Sequence, residues 1–157
     1  MISAVFDCMT FLQAVANRKG PAGGCLALVD EKHVKLFVSA EILEEVSDVL
    51  DRPKIRKAFP TLTDEVVQDF LDHVVETAHA LVNVPIAYQL SRDPDDERYL
   101  NLAIAAQASF LVSRDNDLLD LMKDDAFRKA YPDLAIVDPP TFASHVRSEI
   151  AKTTGTS

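Results

Sequence analysis

Short, largely apolar segments alternate along the chain with longer amphipathic ones. The short segments have strand length and predict strands over residues 2–6, 34–38, 108–112 and 134–137. The longer segments place apolar residues at helical spacing over residues 10–16, 21–29, 40–50, 64–80, 94–107 and 116–122. This alternation predicts an α/β fold in which helices cover both faces of a central, mostly parallel sheet of four to five strands.

Length and composition predict one globular domain over residues 1–147, followed by a flexible tail over residues 148–157. The chain has 157 residues, of which 48% are hydrophobic, and its end is small and polar. No apolar run approaches the roughly 18 residues of a membrane span, and the first residues lack the basic region of a signal peptide. We therefore expect a cytoplasmic protein whose two cysteines, Cys8 and Cys25, are reduced and buried.

The charge balance restricts how this protein could bind nucleic acid. With 16 basic and 25 acidic residues the net charge is -9, which excludes a sequence-independent DNA coat built on a basic surface. Carboxylates that hold divalent cations can still reach phosphates through the metal. Glycine is absent between Gly24 and Gly155, so the chain has no glycine-rich phosphate loop, and nucleotide-cofactor enzymes of that type are excluded.

Two aspartates occupy equivalent places after predicted strands. Asp7 directly follows the first strand, and Asp115 stands three residues after Val112 at the end of the third. One such residue is explained as a turn or a helix cap. Because ligands of open parallel sheets bind beyond the carboxyl ends of the strands, two of them indicate a shared site.

Two further acids are predicted to face inward from helices. In the helix over 40–50, Glu45 borders the apolar stripe while Glu44 points to solvent. The alternative for Glu45 is a partly buried acid paired with a neighbouring base. Asp96 stands three residues before Tyr99, an expected core position, so its carboxylate needs a cation or hydrogen-bond donors.

These four acids, Asp7, Glu45, Asp96 and Asp115, can converge from two strand ends and two helices. Carboxylates about 4 Å apart repel each other by roughly 1 kcal/mol in water and by more inside a protein, so such a cluster attracts a divalent cation. Ligands that are all oxygens suit Mg²⁺ or Mn²⁺ and not Zn²⁺. The chain's four histidines show no ligand spacing and are interpreted as incidental.

Four segments, in this order, resemble the motifs of the PIN domain family of metal-dependent ribonucleases. The resemblance is greatest to the VapC-like branch, whose members are toxins of bacterial toxin-antitoxin pairs, and it covers about residues 2–145. The segments are FDCMTFL at 6–12, the helix after Ser39 that leads to LDRPK at 50–54, DPDD at 93–96, and SRDNDLL at 113–119.

The resemblance implies a three-layer PIN-like fold and an endoribonuclease that hydrolyses RNA phosphodiester bonds with Mg²⁺ or Mn²⁺. It implies that Asp7 and Asp115 are the principal metal ligands and that Asp96 is a ligand of a second site. Asp117 would be a peripheral ligand, and Glu45 a ligand or a residue that positions water. The implied partners are an RNA substrate, a cognate antitoxin protein laid across the acidic groove, and a second copy in a homodimer.

Basic residues near these motifs are candidates for substrate binding. The candidates are Arg114, four bases of the segment after the helix over 40–50 (Arg52, Lys54, Arg56 and Lys57), and the pair Arg18 and Lys19. For the two groups of neighbouring bases the alternative is a solvated loop.

The chain departs from the family pattern at two positions. Met9 replaces an asparagine, and Arg114 replaces a small glycine, where its guanidinium either binds a phosphate or pairs with the carboxylates. These departures leave room for a catalytically degenerate PIN-fold binding module that acts through partner contacts. A phosphatase of the haloacid dehalogenase type is less favoured, because its second aspartate would stand where Met9 does.

Overall fold

Five parallel strands form one sheet in the computed structural model, which describes residues 1–89 and 94–154. The strands are β1 (Ile2–Phe6), β2 (Val34–Ser39), β3 (His79–Leu81), β4 (Phe110–Val112) and β5 (Ala135–Val137). Their order is β3-β2-β1-β4-β5. In the central strand, Val5 lies opposite Phe37 of β2 on one side and Leu111 of β4 on the other. The chain therefore adds β2 and β3 on one side of β1 first, and then adds β4 and β5 on the other side.

Helices and two short 3-10 turns connect the strands. The helices are α1 (Cys8–Ala16), α2 (Pro21–Asp30), α3 (Ala40–Asp51), α4 (Pro53–Ala58), α5 (Asp64–Thr77), α6 (Glu97–Ala106), α7 (Asn116–Leu119), α8 (Asp125–Ala130) and α9 (Pro139–Thr154). The 3-10 turns are Pro94–Asp96 and Asp120–Lys123. Polar side chains accept hydrogen bonds from the first backbone N–H groups of many helices, and this stabilises helix starts at Asp7, Ser39, Thr63, Asp115 and Asp124.

The sheet is covered by helices on both faces, as the sequence predicts. Ala4, Val5 and Phe6 are all buried, although successive strand residues point to opposite faces. Helix α6 packs on β1, β2 and β4, while α2 packs on α1, α9 and β2. None of the described helices is long and apolar enough to span a membrane.

Some element predictions need correction. The helix predicted over 64–80 ends at Thr77, and His79–Leu81 forms the edge strand β3, whose first two residues are exposed. The basic segment after α3 is the short helix α4 and not a loop. Helix α9 extends through residues 148–154 of the segment assigned to the tail, and the division into a domain and a tail stays a prediction.

Candidate active site

An acidic cavity of about 550 Å³ lies beyond the carboxyl ends of β1 and β4. These neighbouring strands are where the strand order reverses, because the chain runs from β1 toward β3 on one side and from β4 toward β5 on the other. Ligands of open α/β sheets bind in the crevice at such a reversal. The charged side chains that line the cavity are Asp7, Glu45, Asp95, Asp96, Asp115, Arg52 and Arg114.

Asp7 joins the end of β1 to the start of α1 and is only 6% exposed. One carboxylate oxygen accepts hydrogen bonds from Thr10 N at 2.8 Å and Thr10 Oγ1 at 2.6 Å, and so caps α1. The other accepts a hydrogen bond from Ser113 Oγ at 2.5 Å. Burial raises the pKa of Asp7 and the charge of Asp115 adds to the rise, although the hydrogen bonds oppose it.

Ser113 links the two aspartates that follow β1 and β4. Its hydroxyl donates to Asp7, and the same oxygen accepts the backbone N–H of Asp115 at 2.9 Å. The Asp115 carboxylate in turn accepts the backbone N–H of Asp117 at 2.8 Å and caps α7. Sequence analysis did not assign Ser113 to the site, although its place directly after a strand and two residues before an acid is a usable signal.

Glu45 projects from α3 into the cavity, while its neighbour Glu44 is exposed, as predicted. The Tyr99 hydroxyl donates to Glu45 Oε1 and accepts the backbone N–H of Cys8 at 3.2 Å. Arg98 Nη1 lies 3.1 Å from Glu45 Oε2. Burial raises the pKa of Glu45 and Arg98 opposes the rise. Glu45 is therefore both part of the cavity and paired with a base, and sequence analysis foresaw neither Tyr99 nor Arg98 as its partner.

Of the remaining predicted site residues, Asp96 lines the cavity, whereas Asp117 and Lys54 do not. Asp96 is half-buried, with Oδ2 shielded from solvent, and it lines the cavity next to Asp95, which sequence analysis explained only as a helix-start acid. Asp93, which precedes them in the motif, lies outside the described residues. The side chains of Asp117 and Lys54 are not among those that line the cavity.

Among the candidate basic residues, Arg52 and Arg114 are exposed and line the cavity. Neither makes a salt bridge with any residue in the described parts of the chain. Arg56 has a structural role, since it donates to the Leu50 carbonyl at 2.6 Å and to the Asp64 carboxylate at 2.7 Å. Three other candidates, Lys54, Lys57 and Lys19, are exposed, and Arg18 lies over the ring of Phe70.

The donor chemistry of the cavity fits a hard divalent cation, because every acidic side chain there offers carboxylate oxygens. Within residues 1–89 and 94–154, no three His, Cys, Asp or Glu side chains stand close enough to hold one ion as placed. The contacts already described explain this spacing, since Asp7 accepts bonds on both oxygens and Glu45 is turned toward Arg98 and Tyr99. Asp7, Asp96 and Asp115 line the cavity and are the residues that would hold a cation there.

Both cysteines are free and buried, as predicted. Burial raises the pKa of Cys8 to about 12 and that of Cys25 to about 11. Burial therefore favours the protonated form of both thiols near neutral pH, even though Cys8 lines the acidic cavity. None of the histidines lines this cavity.

The raised pKa of Asp7 predicts how the metal-free protein responds to pH. The native state binds the Asp7 proton more tightly than the unfolded chain does, so the resulting stability is present below the unfolded pKa of 3.8 and lost as pH rises through the folded pKa. We expect Asp7→Asn to raise Tm in EDTA at neutral pH, because asparagine keeps the helix cap without a buried charge. The gain should shrink as pH approaches 3.8 in thermal unfolding followed by circular dichroism.

Asp138 provides the matched control for that measurement. It accepts the backbone N–H of Thr141 at 2.9 Å at the start of α9, and hydrogen bonds from Thr141 lower its pKa. This carboxylate therefore stabilises the fold above its unfolded pKa, and Asp138→Asn should lower Tm at neutral pH. Shifts of the same sign in both variants would contradict the assignment of the buried charge to Asp7.

The fold and the cavity together define a class of protein. A parallel sheet between helical layers, with carboxylates gathered where the strand order reverses, is a three-layer α/β protein with an acidic cavity at the sheet edge. The PIN domain family model matches residues 3–117, which is most of the chain. The chain therefore belongs to the PIN domain family, a family of nuclease-type proteins.

One relative extends the match beyond the family model. The uncharacterized protein MJ1680 of Methanocaldococcus jannaschii is 26% identical over 128 residues, which are 82% of this chain and 80% of that protein. No solved structure matches the chain. Family membership confirms the resemblance to the PIN domain family as a whole and agrees with the predicted parallel α/β fold.

Proposed function

We propose that the protein is an endoribonuclease that uses Mg²⁺ or Mn²⁺ to hydrolyse RNA phosphodiester bonds. One observation carries the proposal: the acids that follow β1 and β4, an acid of α3 and the acids of the turn before α6 line one cavity at the strand-order reversal. Membership of the PIN domain family supports a nuclease-type activity. Calorimetric titration with Mn²⁺, run beside a cleavage assay on labelled RNA, tests both parts of the proposal.

The proposed chemistry assigns a task to each group around the cavity. Asp7, Asp96 and Asp115 would hold the cation, with Asp117 as a peripheral ligand. When bound, a divalent cation would activate water and would stabilise the charge that develops on the leaving oxygen. Glu45 orients the attacking water, and Tyr99 acts as a positioning residue that fixes the Glu45 carboxylate beside Asp7.

The two guanidinium groups at the rim support phosphate binding by an acidic protein. A cavity rich in carboxylates repels a phosphodiester unless cations lie at its edge. Arg52 and Arg114 occupy that edge without salt bridges to described residues, so they remain available for charge-assisted hydrogen bonds to phosphate oxygens. Of the two interpretations of Arg114, this position favours phosphate contact over pairing with the carboxylates.

We extend the proposal to a biological role as the toxin of a toxin-antitoxin pair in the cytoplasm. The support is the likeness of the four motifs to the VapC-like branch. A cognate antitoxin protein that covers the acidic cavity, and a homodimer, belong to the same proposal. Induced expression should arrest bacterial growth, and co-expression of a small protein encoded next to this chain should restore it.

A second candidate is a PIN-fold module that binds partners without catalysis. The observation in its favour is that, in the described part of the chain, no three potential ligands are grouped around one point. Met9 also supports this candidate. It lines the cavity with half of its surface exposed, and it is an apolar side chain where the family has a polar one. Absence of both Mn²⁺ binding and RNA cleavage would favour this module.

Replacing Glu45 by Gln should slow RNA cleavage at saturating Mg²⁺ by at least about tenfold, about 1.4 kcal/mol of transition-state stabilisation. The glutamine amide can still accept the Tyr99 hydroxyl bond, and the lost Arg98 pair is partly exposed, so stability should change by less than about 1 kcal/mol. Glu44→Gln is the matched control on the solvent side of α3. A larger loss of rate in the Glu44 variant would mean that the carboxylate required for cleavage is on the other face of α3.

A further inference from the structure

A second cavity of about 330 Å³ adjoins the acidic one, and we refer to it as the side cavity. The two cavities share Gln13 and Arg114, so one continuous ligand could occupy both. The residues that line the side cavity are Gln13, Ala16, Asn17, Gly20, Pro21, Ala22, Phe59 and Arg114. Nothing in the proposed hydrolysis uses this space.

Phe59 is the unusual member of this lining. It is 37% exposed, whereas every other aromatic side chain in residues 1–89 and 94–154 is buried or half-buried. Its backbone is fixed at the end of α4, where its N–H donates to the Ile55 carbonyl and its carbonyl accepts the Leu62 N–H, each at 2.9 Å. An aromatic ring that stands on a fixed backbone and is partly open to solvent offers a surface for stacking.

The lining also includes two polar side chains, Asn17 and Gln13, that carry amide groups. The amide oxygen of Asn17 accepts the backbone N–H of Lys19 at 3.2 Å, which orients the side chain. A Cβ atom added to Gly20 would come within 2.9 Å of Asn17 Nδ2, so the glycine leaves room for that amide. Side-chain amides such as those of Asn17 and Gln13 form hydrogen bonds with the edges of unpaired bases.

Arg114 stands between the two cavities and is exposed. A phosphodiester that joined a nucleotide in the side cavity to the scissile group in the acidic cavity would pass this guanidinium. Arginine makes bidentate, charge-assisted hydrogen bonds to phosphate, and Arg114 has no carboxylate within salt-bridge distance in the described chain.

We propose that the side cavity binds one nucleotide of a single-stranded RNA next to the scissile phosphate, with its base stacked on Phe59 and its phosphate held by Arg114. This inference rests on the proposed ribonuclease function and adds to it a nucleotide-binding subsite beside the scissile phosphate. A paired base cannot leave its helix to stack on a protein ring without losing its partner, so duplex RNA is excluded from this subsite.

The absence of tryptophan from the chain makes a direct test available. Phe59→Trp, in an Asp115→Asn background that prevents cleavage, places the protein's one tryptophan at the stacking position. A short single-stranded RNA of mixed sequence should quench this emission, and the same RNA in a duplex should not. Val75→Trp in the same background is the matched control, because Val75 is 60% exposed on α5 and lines neither cavity.

A second measurement gives the size of the effect. Base stacking on an aromatic side chain is strong enough that Phe59→Ala should weaken binding of the labelled single strand by about tenfold, measured by fluorescence anisotropy. Phe59→Tyr, which keeps the ring, should restore most of the affinity. If the circular dichroism spectrum of the alanine variant differs from the parent's, Phe59→Leu takes its place, because leucine keeps the apolar volume without the stacking surface.

The outcomes separate this inference from the proposed function. If labelled RNA binds and is cleaved by the wild type while the tryptophan emission of the Phe59→Trp variant stays unchanged, the subsite assignment is wrong and the nuclease proposal stands. Equal quenching by duplex and single strand also overturns the subsite. If the wild type neither binds nor cleaves RNA, both proposals fail, and contact with another protein becomes the alternative explanation for the exposed Phe59 ring.

Discussion

The Asp115→Asn variant is expected to fold like the wild type and to lose RNA cleavage by at least about a thousandfold, the rate equivalent of about 4 kcal/mol. The carboxylate of Asp115 follows β4 and lines the acidic cavity, where its charge acts on Asp7. Asparagine caps helices as well as aspartate does, so the bond from the Asp117 N–H to the side chain and the start of α7 should survive. Initial rates on one labelled RNA at saturating Mg²⁺ measure the loss.

The control for this variant is Asp138→Asn. Asp138 also follows a strand and caps a helix, but it does not line the acidic cavity. Its replacement should leave the cleavage rate within about twofold of the wild type, a difference of about 0.4 kcal/mol. Equal losses in the two variants would mean that helix capping, and not a carboxylate at the cavity, limits the rate.

Removal of divalent cations should have an effect of the same size. We expect excess EDTA to abolish cleavage and added Mg²⁺ or Mn²⁺ to restore it, because the acids of the cavity repel one another and the attacking water has no other group in the proposal to activate it. Binding should also stabilise the fold, by about 2.7 kcal/mol when the free cation is at about a hundred times its Kd. Thermal unfolding with and without Mn²⁺ measures this gain.

The Asp115→Asn variant again supplies the control, since its Tm should respond less to Mn²⁺ than that of the wild type. Stabilisation of both proteins to the same extent would place the cation outside the acidic cavity. Undiminished RNA cleavage in excess EDTA would show that cleavage does not depend on a metal. The acids of the cavity would then not act as metal ligands.

The hydrophobic pattern was sufficient to predict the buried strands because the pattern reports burial. β1 is apolar at Ala4, Val5 and Phe6 since helices cover both of its faces, and the sequence shows this as a continuous run. The edge strand β3 has no such run, because His79 and Ala80 are exposed, and helical spacing continues into it. Helix α4 was missed for the same reason, since none of its residues is buried.

Among the acids of the cavity, Glu45 and Asp7 were predictable because each interrupts an apolar pattern at a definite place, whereas Asp95 was explained only as a helix-start acid. Glu45 borders the buried stripe of α3, and Asp7 ends a buried strand. Their hydrogen-bond partners were not predictable, because those depend on how distant elements pack. Tyr99 reaches Glu45 across 54 residues of sequence and Ser113 reaches Asp7 across 106, and no local spacing encodes either contact.

The reversal in strand order also determines when the cavity can exist. β1 leaves the ribosome long before its neighbour β4, which begins only at Phe110. The loop between Asp7 and Ser113 must close before their hydrogen bond forms, and closure over such a length comes late in folding. We therefore expect the acidic cavity of a nascent chain to lack Asp115, and the proposed nuclease to be inactive, until the strand that precedes Ser113 has emerged and docked.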